Sequence, residues 1–317
     1  MKALNFIYFH RNRIMVAGGF CGAYGYLCKK AASPNVNEVV RIGVASSLAH
    51  VAIETMFHFA DTVNVRAKTN DSNDSTMKML QKIYKNEGLM GFGRGFSAMF
   101  YGSVFCGFIY FSLYKVFKVE FKKYFGDSLS FGQVVFLASW TAELFTLLVY
   151  YPYDLIKCRL QSKNYHFKYR NLPHAFRKEI TEGSIFSLYR GALPFVVTYC
   201  MCVSIQFTIY ESVMKYFKLK YSKEEGEFEK KELQINMLAG FLAGAISSGL
   251  TNSFDMVTIN KQTNPDLKIW EMIKTERFNL FTKGLLARVY YHSMQSLVFF
   301  HLVLHIGKIY NVDISED

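Results

Sequence analysis

Pro152-Tyr153-Asp154-Leu155-Ile156-Lys157-Cys158-Arg159-Leu160-Gln161 is the stretch whose reading decides the fold. It closes the apolar run Phe131 to Tyr151, which is long enough to cross a bilayer as a helix. Pro152 removes a backbone donor and is expected to bend that helix. Asp154 and Lys157 fall on one helical face, free to pair with neighbours. Taken alone, this is a kinked helix end with charges at the water boundary. It gains meaning because the chain repeats it.

Aligned on the aspartate, the repeats fall at Asp61, Asp154 and Asp255, roughly a hundred residues apart, a period that marks triplication. Each aspartate ends an apolar or small-residue segment: Arg41–Ala60, Phe131–Tyr151 and Gln234–Phe254. A charged connector follows, then a glutamate-and-glycine box: Glu87-Gly88 to Arg94-Gly95, Glu182-Gly183 to Arg190-Gly191, and Glu276-Arg277 to Lys283-Gly284. A second apolar helix starts at each closing glycine, and at one matching position in all three stands phenylalanine: Phe111, Phe207 and Phe300. Within the connectors, Met77, Leu80, Ile83 and Tyr84, and again Leu267, Trp270 and Ile273, stripe short amphipathic helices. Asn264-Pro265 is a start signal for the last of these. The expected fold class is therefore an all-α membrane protein, with six transmembrane helices in three pseudo-symmetric helix–loop–helix repeats. The expected divisions are an N-terminal extension over 1–38, then repeats over 39–125, 126–230 and 231–317.

Composition agrees. Hydrophobic residues make up 51% of the 317 and charged residues only 20%, which favours a membrane bundle over soluble domains. The six cysteines show no paired spacing and lie mostly in apolar runs, so they read as small hydrophobes and not as a disulfide or metal framework. The net charge of +12 reflects sidedness and contact with anionic lipid. The three intra-repeat connectors carry a large excess of Lys and Arg, whereas 115–130 and 215–232 are closer to balance, so the connectors face the side that retains basic residues. Both termini of the six-helix core then lie on the other side. Ile14 to Leu27 is apolar but short and flanked by Arg11, Arg13, Lys29 and Lys30. It reads as an interfacial anchor or a short extra membrane segment.

These motifs resemble the mitochondrial carrier family, whose repeat signature is Pro-x-Asp/Glu-x-x-Lys/Arg-x-Lys/Arg, a connector, then Asp/Glu-Gly-x4-aromatic-Lys/Arg-Gly. The resemblance covers roughly 40–308. Repeat two matches the first half fully, Gln161 included, and carries one extra residue between Gly183 and Tyr189. Ala239-Gly240-Phe241-Leu242-Ala243-Gly244-Ala245 also looks family-typical, its small residues letting helices approach closely. The resemblance implies a threefold bundle in the mitochondrial inner membrane, core termini on the intermembrane-space side, around a cavity that opens alternately to either side. It implies a matrix-side gate of Asp61, Asp154, Lys157 and Asp255 with Gln161 and Gln262. It implies substrate contacts about seven residues beyond each box glycine, at Gly102 and Ser103, Thr198 and Tyr199, and Tyr291 and His292. Bound cardiolipin is implied at the helix starts Gly95, Gly191 and Gly284, where free amides favour an anion. No other cofactor and no metal is implied.

The sequence departs from that pattern. Repeat one reads Phe59-Ala60-Asp61-Thr62-Val63-Asn64-Val65-Arg66, and repeat three Ser253-Phe254-Asp255-Met256-Val257-Thr258-Ile259-Asn260. Three aspartates thus face one motif lysine, Lys157, and at most one of three gate bonds is expected. At the other end, Tyr114-Lys115-Val116-Phe117-Lys118, Tyr210-Glu211 with Lys215 one place late, and Val303-Leu304-His305 promise an equally poor ring. The contact positions carry no Arg or Lys, which anions require. His50, Glu54 and Glu143 are intramembrane ionisable groups and join the contact candidates. Eroded gates point to a non-transporting accessory subunit of a larger inner-membrane assembly, such as a respiratory complex. The alternative is a divergent carrier exchanging a neutral or cationic metabolite by alternating access. No phosphate loop, metal spacing or nucleophile motif supports an enzyme. Nucleic acid is not expected, because the basic excess sits in loops between spans.

Overall fold

Six long helices pack side by side into a closed ring. The computed structural model describes residues 19–33, 36–69, 76–162, 167–221, 227–264 and 266–312. A first helix, α1, covers residues 19–31 and stands outside the ring. The ring itself runs α2 (Glu38–Thr69), α4 (Phe96–Phe125), α5 (Phe131–Gln161), α7 (Ala192–Tyr221), α8 (Glu227–Leu250) and α12 (Leu285–Tyr310), which packs back on α2. Short α9 (Asn252–Thr263) carries α8 onward after a break at Thr251, and reaches inward to α7, α2 and α5. Between the partners of each unit lie α3 (Thr76–Glu87), α6 (Leu172–Glu182), and the pair α10 (Ile269–Glu276) and α11 (Asn279–Thr282). This is the expected all-α arrangement of three helix–loop–helix units.

Helix length follows from the apolar runs. At 1.5 Å per residue, 30 residues extend about 45 Å, more than the ~30 Å hydrocarbon thickness. Among the described residues five segments are long and apolar enough to cross a membrane: Glu38–Thr69, Leu89–Phe125, Phe131–Gln161, Ile185–Tyr221 and Lys230–Leu250. The sixth ring helix, α12, is long enough but diluted by Arg288, His292, Gln295, His301 and His305. Helix α5 begins with a capping box, Ser130 and Gln133 each satisfying the other's backbone amide, and it continues through Pro152. Pro265, half of the expected start signal for α10, lies outside the described residues.

Glycines set the tightest approaches. A Cβ at Gly244 would collide with the His292 carbonyl of α12, and one at Gly107 would lie 2.7 Å from the Ser47 Cα of α2. The small-residue run of α8 is thus what lets α12 close the ring. Gly244→Ala is expected to lower stability by about 1–3 kcal/mol through overpacking, read as a lower melting midpoint in detergent. An unchanged midpoint would show that this seam has slack.

The connector end is tied by arginines on the motif helices. Arg66 pairs with Glu87 of α3, which also binds Arg94 at 2.7 Å, and Arg159 pairs with Glu179 of α6 at 2.9 Å. The same two guanidiniums reach to the next unit: Arg66 Nε donates to the Gln161 carbonyl at 2.8 Å and Arg159 Nε to the Gln262 carbonyl at 3.0 Å. They thereby cap the last turns of α5 and α9, which lack intrahelical donors there. Glu179, one turn before the box glutamate Glu182, takes the connector bond, while Glu182 lies exposed beside Lys178. Burial, reinforced by its hydrogen bond to Glu179, holds the Tyr169 hydroxyl well above its usual pKa.

Helix α1 lies along the bundle wall: Phe20 packs on Tyr101 and Phe105 of α4, and the Tyr24 hydroxyl meets Ser47 Oγ of α2 at 2.8 Å. Near the chain ends the Tyr310 hydroxyl donates to the Cys28 carbonyl at 3.2 Å, and Arg41 donates to the Tyr310 carbonyl at 3.1 Å.

Candidate functional site

The ring encloses a cavity of about 180 Å³. At roughly 10–15 Å³ per enclosed water, that is space for about a dozen waters or a small organic molecule. Two closures bound it.

The closure at the connector end is built from equivalent turns of α2, α5 and α9. One turn beyond each motif aspartate stand Val65, Cys158 and Ile259, which pack together as a buried apolar plug. Above it lies the aspartate ring, with more cations than the motif supplies. Lys157 Nζ sits 3.2 Å from Asp61 and 3.0 Å from Asp154. Lys68 pairs with Asp255, and Arg288 Nε lies 3.3 Å from the same carboxylate. Gln161 donates to Asp61 at 3.1 Å and Gln262 to Asp154 at 3.0 Å. The motif lysine thus makes its one expected bond between repeats, to Asp61, and the other two carboxylates find other partners, Gln262 for Asp154 and Lys68 with Arg288 for Asp255. Lys68 sits two turns beyond Asp61 on its face of α2, and Arg288 one turn beyond Gly284 on α12, so both escape a search confined to motif positions.

The opposite closure is aromatic. Phe111, Phe207 and Phe300, the three matching phenylalanines, meet across the bundle with Phe299. Phe111 lies 5.7 Å from Phe207, Phe207 5.3 Å from Phe300, and Phe111 5.8 Å from Phe299. Tyr210 stacks on Phe300 at 3.6 Å and donates to Asn236 at 3.0 Å. Lys118 and Glu211, both buried, pair at 2.9 Å, and the Tyr114 hydroxyl also donates to Glu211. Lys115 with Glu38 and Lys308 with Glu232 pair on the more exposed rim at 3.7 and 2.7 Å, Lys118–Glu211 is the buried pair, and the aromatic layer makes the seal.

Between the closures the contact candidates divide. His50, Glu54, Glu143, Thr198, Tyr199, Tyr291 and His292 line the cavity. Gly102 and Ser103 do not: a Cβ at Gly102 would meet Tyr153 and Tyr150 of α5 at 3.0–3.1 Å, and the fully buried Ser103 hydroxyl donates to the Met99 carbonyl. Their place on α4 is a helix contact, which a count from the box glycine cannot distinguish from a cavity face. His50 Nδ1 lies 3.2 Å from the Ser103 carbonyl, and Gln295 donates to Glu54 at 2.7 Å. Thr198 meets Thr258 at 2.9 Å. Arg288 also lines the cavity, so the expectation of no Arg or Lys holds for the counted positions only.

Gly95 and Gly284 adopt left-handed backbone as N-caps of α4 and α12, and Gly191, immediately before α7, has φ 78°. A side chain would be strained at all three, whereas glycine adopts this conformation freely. Among the described residues no His/Cys/Asp/Glu group could hold a metal ion.

The family description Mitochondrial carrier protein matches residues 36–125 and 130–221, more than half of the chain. Mitochondrial substrate carrier family protein E of Dictyostelium discoideum is 28% identical over 260 residues, 75% of this chain and 85% of that protein. The Mitochondrial glutathione transporter SLC25A40 of Bos taurus is 28% identical over 188 residues, 59% and 53% of the two chains. Mitochondrial thiamine pyrophosphate carrier 1 of Meyerozyma guilliermondii is 25% identical over 241 residues, 74% and 78%.

Proposed function

The chain belongs to the mitochondrial carrier family, and from that premise we propose that it is a working solute carrier of the inner membrane. It exchanges a small neutral or cationic metabolite by alternating access. The observation that carries this reading is a cavity lined by aromatic and ionisable side chains with a separate closure at each end, each made of interactions that can form and break. The reading of a non-transporting accessory subunit rested on missing latches. Lys68 and Arg288 supply the missing cations, and the relatives are carriers by name, so that reading loses its ground. The family consists of transporters, which leaves no support for an enzyme. The solutes in the relatives' names differ from one another, so they select none for this chain.

Glu54 and Glu143 in the cavity, without Arg or Lys at Thr198, Tyr199, Tyr291 or His292, argue against an anion. The basic connectors are proposed to face the matrix, with the core termini in the intermembrane space. Cleavage of the connectors by protease added to intact mitoplasts, which exposes the opposite face, would refute that orientation. Cardiolipin is proposed at the starts of α4, α7 and α12, where free amides and the helix dipole attract phosphate. A melting midpoint unmoved by added cardiolipin would remove it. The transport reading is tested by counterflow in proteoliposomes across a panel of amines, amino acids and carboxylates. Saturable uptake of one class is expected, and no uptake by a correctly folded preparation would overturn it.

A further inference from the structure

Two polar groups on the α4 and α5 walls of the cavity lack a well-formed partner among the described residues. Glu143 of α5 is 4% exposed and makes no hydrogen bond or ion pair with any described residue. The hydroxyl of Tyr110 on α4, also 4% exposed, has Ser139 as its polar neighbour but no well-formed hydrogen bond, because the Ser139 hydroxyl donates to the Val135 carbonyl at 2.7 Å. The two line the same cavity from adjacent helices, α4 and α5. Every other carboxylate in the lining is provided for: Asp61 and Asp154 by Lys157, Asp255 by Lys68 and Arg288, Glu54 by Gln295. A buried polar group left unmatched is costly, and a buried carboxylate without a cation more so. Among the described residues Glu143 is thus the lining carboxylate with neither a cation nor an N–H donor, and the one at which a positive charge gains most.

The surrounding walls narrow the class. Tyr110, Phe111, Phe195, Tyr199, Phe207 and Phe299 line the same cavity. Aromatic faces attract cations, most strongly where water is excluded. A small hydrated metal ion would gain little from such walls, and the described residues offer it no cluster of ligating side chains. An organic anion would face Glu143 and Glu54 with no uncommitted cation to meet it. We infer that Glu143 and Tyr110 form the recognition point for an organic ammonium ion, its N–H groups on the carboxylate and the phenol oxygen and its carbon skeleton against the aromatic wall. This rests on the reading of the cavity as the transport site and adds the solute class and the residues that select it.

The test uses three probes of one shape and different charge: n-butylammonium, n-butanol and butyrate. Binding to the full chain in detergent is read from the shift in melting midpoint with probe concentration. Butylammonium is expected to stabilise the wild type, and butanol and butyrate are not. Glu143→Gln is expected to weaken butylammonium binding roughly ten- to hundredfold, the loss of a charge-assisted bond, and Tyr110→Phe by less. Glu143→Asp, which keeps the charge, is expected to restore part of it. Each variant is first required to melt cooperatively without probe, and Tyr110→Phe carries the test should Glu143→Gln fail to fold. Equal stabilisation by butanol or butyrate, an unchanged response in Glu143→Gln, or no response to butylammonium would overturn the inference. Counterflow separates it from the transport reading. Ammonium binding without uptake leaves recognition standing and removes transport, whereas uptake of carboxylates alone leaves transport standing and removes recognition of a cation.

Discussion

Asp255→Ala is expected to destabilise the protein by about 3–5 kcal/mol, the largest single loss available at the connector end. The carboxylate serves two cations at once, Lys68 from α2 and Arg288 from α12, both essentially buried. Removing it leaves two like charges in a site with little water, and that stranding, more than the lost attraction, sets the size of the effect. Arg288 keeps hydrogen bonds to the Ser248 carbonyl and the Thr251 hydroxyl, at 3.1 Å each, so part of its demand stays met. Lys68→Met in the same background removes one stranded charge and is expected to recover a substantial part of the loss. The melting midpoint in detergent should fall by roughly 4–8 °C for Asp255→Ala and rise again in the double variant. A fall of less than about a degree, or strictly additive losses in the double variant, would mean that these groups do not act as one cluster.

Glu211→Gln is expected to unseal the opposite end. Glu211 is the acceptor for both Lys118 and the Tyr114 hydroxyl, and it is the acid of the ion pair that joins α4 to α7 there. Neutralising it leaves the buried Lys118 ammonium without a counter-charge, held only by a neutral amide and by the Tyr114 and Phe131 rings 6.0 and 5.6 Å away, and the arrangement that best relieves it is one in which water reaches it. A bias of about 1.4–2.8 kcal/mol toward that arrangement changes its population ten- to hundredfold. Cys106, Cys158 and Cys202 line the cavity and serve as native reporters. Labelling of these thiols by a membrane-impermeant maleimide from the side of the core termini should rise by that factor in Glu211→Gln and stay low in the wild type. If labelling does not change, the seal rests on the phenylalanines alone.

Much of the architecture was readable from residue pattern because it depends on features that recur. The aspartates place three equivalent turns, and helix geometry one turn further on then brings Val65, Cys158 and Ile259 together. Phe111, Phe207 and Phe300 stand at matching positions, and the ring brings them into one layer. The site was less readable, for a specific reason. A carboxylate needs a cation within a few ångströms, but nothing requires the cation to come from the matching place on a neighbouring repeat. Lys68 reaches Asp255 from two turns along its own helix, and Arg288 reaches it from a different helix altogether. Long, flexible side chains move charge across a turn or two without leaving a motif behind. Gly102 failed in the converse way: its spacing was right, but α5 occupies the face it was expected to open. Tyr110, outside every counted position, is conspicuous only once its hydroxyl is seen to lack a well-formed hydrogen bond.

Where the tips of α2, α5 and α9 converge, Lys157–Asp61 joins the first two and Lys68–Asp255 joins the first and third by opposite charge. Across the remaining junction, α5 to α9, the contacts are hydrogen bonds, Gln262 to Asp154 and the Arg159 guanidinium to the Gln262 carbonyl, with no ion pair between described residues. Hydrogen bonds to charged groups contribute about 1.5–3 kcal/mol each, and opening this junction, unlike the other two, separates no pair of opposite charges. The three tips therefore need not separate together. The α5–α9 slit is expected to gape first while the other two contacts act as a pivot, so that the bundle swings like a gate instead of dilating like an iris. Spin labels across α5–α9 would then record a broader distance distribution than a pair across α2–α9.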